Sequence, residues 1–391
     1  MSDKNNKTLK PSWRRVKFGD VVRLSKARSQ DPLADGIERY VGLEHLEPGD
    51  LRIRSWGNVA DGVTFTSVFK PGQVLFGKRR AYQRKVAVAD FSGVCSGDIY
   101  VLETKDAQVL LAELLPFICQ TDAFFDHAVG TSAGSLSPRT NWTSLADFEF
   151  PLPPIHEQAQ VLTALKAFEG AIVEQQSLLA STNVVIQAIL GDWWEEKTNL
   201  LRPLGELSLI SGAYGINASA KTLTPGEPRY IRITDIDSDG RLLSSDAVGV
   251  DSQDFDGYLL ADNDLLIART GNTVGKSFIY SEDLGPAVYA GYLIKFRLNS
   301  TLALPKYIFF MTRAPQYRDW IKSTVRVGAQ PNINAKEYSG LKLPAPSVEE
   351  QKGLVEKLES LEVVRERCFK RLEELRSVKT IFVQEELIDV I

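Results

Sequence analysis

The feature that most constrains this chain is a repeat. Residues 151–158 read PLPPIHEQ and residues 344–351 read PAPSVEEQ, so that Pro151, Pro153, Glu157 and Gln158 match Pro344, Pro346, Glu350 and Gln351 at an offset of 193. Downstream of both octets the offset continues without a gap, because apolar residues recur with alternating steps of four and three, the heptad signature of helices that pack as a coiled coil. The first seam is Val161, Leu165, Phe168, Ile172, Gln175, Leu179, Thr182, Ile186 and Ile189. The second is Leu354, Leu358, Leu361, Arg365, Cys368, Leu372, Leu375, Lys379 and Phe382. Each seam carries two polar residues, Gln175 and Thr182 or Arg365 and Lys379, and such interruptions lower stability but fix register and partner. A helix from Ile155 to Asp192 would be about 57 Å long at 1.5 Å per residue, more than a domain of about 150 residues needs. The two rods are expected to pack on each other as a spacer.

Upstream the likeness weakens but persists. Phe18-Gly19-Asp20 resembles Leu204-Gly205-Glu206, and RYVGLEHLEPGDLR (39–52) resembles RYIRITDIDSDGRLL (229–243). Short β-like runs broken by Gly, Pro, Asn and Asp fill both regions. Each also holds one expected helix, near 106–126 and near 305–322. The expected fold class is α/β in the mixed α+β sense, with two tandem globular domains, 1–150 and 200–346. A long helix comes after each, within 151–199 and 347–391.

Composition narrows the function. With 43% apolar and 25% charged residues the chain is an ordinary globular protein. It has no apolar run of 18 residues, and its N-terminus, MSDKNNKTLKPSWRR, lacks an apolar core and cleavage signal, so a soluble cytoplasmic protein is expected. Cys95, Cys119 and Cys368 are scattered, as are His45, His127 and His156, which disfavours a disulfide scaffold or a compact zinc site. The net charge of −4 argues against non-specific coating of nucleic acid. By segment the net charge is +2 over 1–150, −4 over 151–199, +1 over 200–346 and −3 over 347–391, so the acidic excess lies in the helices.

Catalytic motifs are missing. Gly271-Asn272-Thr273-Val274-Gly275-Lys276-Ser277 is one residue short of a phosphate-binding loop, which needs four residues between its glycines to wrap the phosphates. It reads instead as a tight turn exposing Arg269, Thr270, Asn272 and Lys276. No GxGxxG follows a strand, GxSxG and HExxH do not occur, and Pro153-Pro154-Ile155 only echoes the tetrapeptide with which amino-methylating enzymes grip a flipped base. The carboxylates of DIDSDG (235–240) read as solvated loop. No catalytic residue, bound metal or cofactor is expected in this chain.

The basic loops are more informative. Lys78, Arg79, Arg80, Tyr82, Gln83, Arg84 and Lys85 set five cations and an aromatic between two β-like runs, a composition suited to phosphates and base edges. ARTGNTVGK (268–276) occupies the corresponding place in the second half. Two further loops precede the proline punctuation. GTSAGSLSPRTNW (130–142) offers Ser135, Arg139 and Asn141, and RVGAQPNINAKEY (326–338) offers Arg326, Gln330, Asn332 and Asn334. Arg and Lys suit guanine, and Asn and Gln suit adenine.

In these residues the chain resembles the specificity subunits of type I restriction-modification systems over nearly its whole length. The resemblance rests on PLPPIHEQ and PAPSVEEQ with their heptads, and on DLLIARTGNTVGK and FGKRRAYQRK as two variants of a recognition-domain core. It implies two target recognition domains separated by two long helices in an antiparallel coiled coil, with pseudo-twofold symmetry broken by divergence, and an asymmetric bipartite target on double-stranded DNA. It also implies a phage-defence role in which two copies of an adenine methyltransferase subunit carry S-adenosylmethionine and ATP-dependent restriction/translocase subunits join the complex. The N-terminal half lacks the TGxxVGK-like turn, so the two domains are expected to dock differently. Three alternatives stay open at this point: a related methyltransferase-nuclease or phage-defence module, a coiled-coil scaffold that binds no DNA, and an enzyme using ATP at 271–277.

Overall fold

The computed structural model describes residues 10, 12–243, 247–252, 254–325 and 331–388. The chain divides into two compact units. Unit 1 is Met1–Gln175 with Lys370–Ile391, and unit 2 is Gln176–Phe369. Each unit therefore contains one globular part and half of each long helix.

Unit 1 is built on a four-stranded antiparallel sheet in the order Val22–Leu24, Ile99–Thr104, Val74–Gly77, Val86–Val88. Unit 2 has the same sheet in the same order, Ser208–Tyr214, Leu293–Leu298, Asp264–Ala268, Ser277–Ile279. The two RY segments are equivalent too. Arg39–Val41 pairs parallel with Gly93–Cys95, and Arg229–Ile231 pairs parallel with Ala287–Tyr289. The strand that opens each unit pairs antiparallel with the strand just before its proline punctuation, Arg14–Lys17 with Glu149–Leu152 and Leu201–Pro203 with Lys342–Pro344. Each half is thus a mixed α+β domain, and the chain is an internal repeat.

The expected helix at 106–126 is instead two helices, Leu115–Gln120 and Asp122–Gly130, after a turn and a short 3-10 segment. Thr121 breaks it with an extended backbone and a side chain that accepts from Phe124 N, an N-cap that starts a new helix. The 305–322 pattern divides likewise into Pro305–Met311 and Pro315–Thr324, where Pro315 has no N–H with which to continue the first helix.

The long helices are Ile155–Glu196 and Val348–Leu387, 42 and 40 residues. No residue of either heptad seam is exposed. Position by position the pairing is antiparallel: in unit 1 the Phe168 ring meets Phe382 at 5.6 Å, while further along the first helix and back along the second, Lys379 Nζ donates to Glu169. Val161, Leu162 and Leu165 share one core with Val383 and Leu387. In unit 2, Ile186, Leu190 and Trp194 share a core with Leu354, Val355 and Leu358, and Lys197 pairs with Glu350 at 2.8 Å.

The repeated glutamine has one structural task performed twice. Gln158 is fully buried; its Oε1 accepts from Leu111 N, and its Nε2 donates to Val109 O and Pro153 O. Gln351 makes the same bonds with Leu304 N, Leu302 O and Pro346 O. All three partners in unit 2 lie 193 residues beyond those in unit 1. A buried carboxamide satisfied on three sides locks the start of each helix onto its domain.

Candidate nucleic-acid interface

In both units the hairpin connecting the third and fourth strands of the main sheet carries the basic loop. Residues 78–85 connect Val74–Gly77 to Val86–Val88, and residues 269–276 connect Asp264–Ala268 to Ser277–Ile279. The two connections have the same length and are closed by the same bond, Gly77 N to Lys85 O at 3.0 Å and Ala268 N to Lys276 O at 2.8 Å.

The expectation that unit 1 lacks the TGxxVGK-like turn is overturned. Arg80 and Arg84 adopt φ of +53° and +56° where Gly271 and Gly275 adopt +64° and +86°. The turn is shared, but its glycine positions are arginines in unit 1, a residue type that rarely enters the left-handed region. Arg84 is held there by Asp122, by the Gln120 carbonyl, and by the Phe125 ring 4.6 Å below its guanidinium. At Gly275 there is no such side chain, and a cavity of about 1050 Å³ opens beside it, lined by Lys276, Arg241, Arg313, Arg318 and Phe309 among others.

The second loop of each unit is bonded onto the first through one shared pattern. In unit 1, Arg80 N donates to Pro138 O, Thr140 N donates to Lys78 O, and Arg79 pairs with Arg139. In unit 2, Gly271 N donates to Pro331 O, Ile333 N donates to Arg269 O, and Thr270 pairs with Asn332. Pro331, Asn332 and Ile333 lie 193 residues beyond Pro138, Arg139 and Thr140. The same backbone junction therefore presents different side chains.

In unit 1 the junction is cationic. Asp98 Oδ2 accepts from Arg79 Nη1 at 3.1 Å, and its Oδ1 accepts from Arg139 Nε at 2.8 Å. Ser137 Oγ accepts from Arg79 at 3.0 Å and from Arg80 at 3.3 Å. Burial alone would raise the Asp98 pKa, but hydrogen bonds from Arg139 and Arg79, with their positive charge, outweigh it and hold the carboxyl below its usual range. Burial lowers the Lys78 pKa, and its ammonium lies 4.6 Å from the Tyr100 ring. Lys85 is tied to the Leu43 carbonyl at 2.7 Å. Tyr82 and Ser135 are exposed, and Gln83 is half-buried.

In unit 2 the junction has, among the described residues, one arginine where unit 1 has three. Arg269 Nε donates to Asn332 Oδ1 at 3.3 Å, and its guanidinium lies 4.7 Å from the Tyr214 ring. Asn272 is exposed, Thr270 is half-buried with its carbonyl accepting from Thr273 Oγ1, and Lys276 reaches the Ile236 carbonyl at 3.4 Å. Asn141 and Asn334 are both helix N-caps, accepting from Ser144 N and Glu337 N, so their side-chain oxygens already serve the backbone. Arg326 and Gln330 lie outside the described residues.

Sequence reasoning missed Asp98, Ser137, Tyr214, Tyr292 and the loop-tip residue Leu136, which is 89% exposed. Tyr292 occupies the place of Asp98, since Arg269 N donates to Tyr292 O as Lys78 N donates to Asp98 O.

Comparison with known proteins identifies the family of the chain. The family described as Type I restriction modification DNA specificity domain matches residues 13–179 and again 197–373. The chain belongs to this family. It is 30% identical over 193 residues to the type I restriction enzyme EcoDI specificity subunit of Escherichia coli, a match covering 46% of this chain and 40% of that subunit. The type I restriction enzyme MjaVIII specificity subunit of Methanocaldococcus jannaschii is 20% identical over 94% of this chain and 90% of its own length. Among solved structures, a chain from work on complex assembly and conformational transition of the type I R-M system superposes with a TM-score of 0.60 at 17% identity, over 97% of this chain and 99% of its own. The type I restriction-modification S subunit from M. genitalium gives 0.59 at 14%, over 99% of each. These structural likenesses establish the fold: the tandem recognition-domain architecture with two long antiparallel helices.

Among the described residues there is no group of three or more His, Cys, Asp or Glu that could hold a metal ion, and no helix is long and apolar enough to cross a membrane.

Proposed function

We propose that this chain is the DNA specificity subunit of a type I restriction-modification complex, a non-catalytic member that reads a split, asymmetric site through one loop junction per unit. The observation that carries the reading is the duplicated junction within a twice-matched specificity family: one backbone pattern, with Arg79, Arg80 and Arg139 in unit 1 and Arg269, Thr270 and Asn332 in unit 2. A shared frame with unlike side chains is what recognition of two different half-sites requires. Phosphate contacts would set position and base-edge contacts would set sequence.

The partners in this reading are double-stranded DNA, two copies of an adenine methyltransferase subunit and ATP-dependent restriction subunits. S-adenosylmethionine and ATP belong to those partners. The acidic helices fit this division, since affinity for phosphate can be shared with the partner subunits. The long helices would set the gap between half-sites: one heptad added to both lengthens them by about 10 Å, and the gap should grow by roughly one to three base pairs at about 3.4 Å per pair.

Single-molecule mapping of adenine methylation tests the proposal, comparing cells that express this chain and its neighbouring methyltransferase with cells lacking only this chain. A split motif that disappears with the chain is the expected result. Identical maps overturn it.

A further inference from the structure

Building on that DNA reading, we propose that Asp98 is a positioning residue for base recognition in unit 1, holding Arg139 and Arg79 so that the free edge of Arg139 is a preset double donor for guanine. The two oxygens of Asp98 are divided between guanidinia from different loops, Arg139 from the second and Arg79 from the first. Arg139 is engaged through Nε, and its two terminal nitrogens make no hydrogen bond among the described residues. A guanidinium tied in this way keeps its paired Nη donors, which match the adjacent O6 and N7 acceptors of guanine. The Asp98 side chain is 18% exposed whereas that of Arg139 is 51% exposed, so the anchor is sheltered and the donor is accessible. The anchor is also fixed to the loop it organises, because its carbonyl accepts from Lys78 N at 2.9 Å.

The carboxylate has a second consequence. A long cationic side chain without an anchor follows the nearest phosphate of any sequence and loses its rotamer freedom on binding. Asp98 removes that freedom beforehand and offsets part of the charge, which weakens sequence-independent attraction and leaves the base contact to decide affinity. Tyr292 at the equivalent place in unit 2 carries no charge with which to do this, so the effect is confined to one half-site.

The test uses the complex isolated through a tag on the full chain, carrying Asp98, D98A, D98N or D98E. Each is presented with a duplex library of randomised sequence, and the bound fraction is sequenced. Binding to one unrelated duplex is measured across a salt series. The wild type should enrich a split motif with guanine in one half. D98A and D98N should lose about tenfold discrimination at that guanine, leave the other half unchanged, and bind the unrelated duplex more tightly with a steeper salt dependence as the freed arginines reach phosphates. D98E should restore part of the preference. Unchanged discrimination, loss in both halves, or loss with weaker binding to the unrelated duplex would overturn the role of Asp98, the last being what simple unfolding of unit 1 produces. A wild-type complex that enriches no split motif would instead defeat the DNA reading itself, and this inference with it.

Discussion

Units 1 and 2 carry the same loop junction on the same sheet, yet one is organised by charge and the other by amides and glycine. Arg79, Arg80 and Arg139 gather around Asp98 and Ser137 in unit 1, while Thr270, Gly271 and Asn332 meet without a carboxylate in unit 2. The backbone bonds that join the loops use main-chain groups: carbonyls, which every residue supplies, and N–H groups, which every residue except proline supplies. Divergence of the side chains therefore leaves the frame intact, and specificity can change while the scaffold persists.

The largest test of this comparison concerns how the units are completed. Unit 1 includes residues 370–391, whose Val383 and Leu387 are buried in its core, whereas unit 2 is continuous in sequence. Deleting 370–391 removes those two side chains, at about 4 kcal/mol, and exposes the face of the first helix they cover. Hydrogen exchange should show protection lost in the strand Ile99–Thr104 and kept in Leu293–Leu298. Equal loss in both strands would break the separation of the units.

A smaller effect comes from the buried polar seam. Lys379 serves Glu169 and Gln120 in unit 1. Arg365 serves Asp239 and Glu362 in unit 2, where Arg313 also reaches Glu362. Lys379→Met leaves Glu169 without its partner and should cost about 3 kcal/mol, and Arg365→Met should cost somewhat less because Arg313 still neutralises Glu362. Denaturant midpoints of the two variants check the order, and a larger loss at Arg365 would show that Arg313 does not compensate.

The shared turn gives the next sharpening. Gly275→Ala places a Cβ at φ +86° and 3.0 Å from Ile321 Cδ1, so a loss of about 1 kcal/mol is expected. Arg80→Gly relieves a left-handed φ at the cost of the long bond to Ser137, so thermal stability should stay the same or rise slightly. A marked drop for Arg80→Gly would mean that its side chain holds the turn together more strongly than the backbone strain opposes it.

These pairs also show why some features were legible and others hidden. The heptads and the PxP-x-x-x-EQ repeat were readable because helix periodicity is local and the offset of 193 is ungapped. The task of Gln158 and Gln351 was not, since it needs partners 47 and 49 residues away. Asp98 left no trace beside its turn because its arginines come from positions 19 and 41 residues distant. The common turn was concealed by Arg80 and Arg84, for a pattern search expects glycine where φ is positive. The two expected single helices were misjudged because Thr121 and Pro315 restart the chain inside stretches whose composition otherwise reads as one helix.

The smallest expected effect separates the junctions by acid. Burial works to raise the Asp98 pKa, yet Arg139 and Arg79 hold the carboxyl below its usual range in the folded protein. A group whose folded pKa is depressed contributes stability that is fully present above its unfolded value, about 3.9 for aspartate, and lost as pH falls through the folded value. The unit 1 junction should therefore be unaffected between neutral pH and about pH 4 and loosen below that. The unit 2 junction has Tyr292 and Asn332 in place of Asp98 and Arg139, and the nearby Glu337 carboxylate bonds the Asn334 amide of the following helix cap rather than an arginine of the junction, so among the described residues no such ion pair is there to be lost and the Gly271 amide should follow only the global acid transition. Amide chemical shifts of Arg80 and Thr140, followed beside those of Gly271 and Ile333, report each junction at equivalent positions. If all four amides move together, Asp98 is not what sets the unit 1 junction apart, and the chemical contrast between the two would have no energetic counterpart.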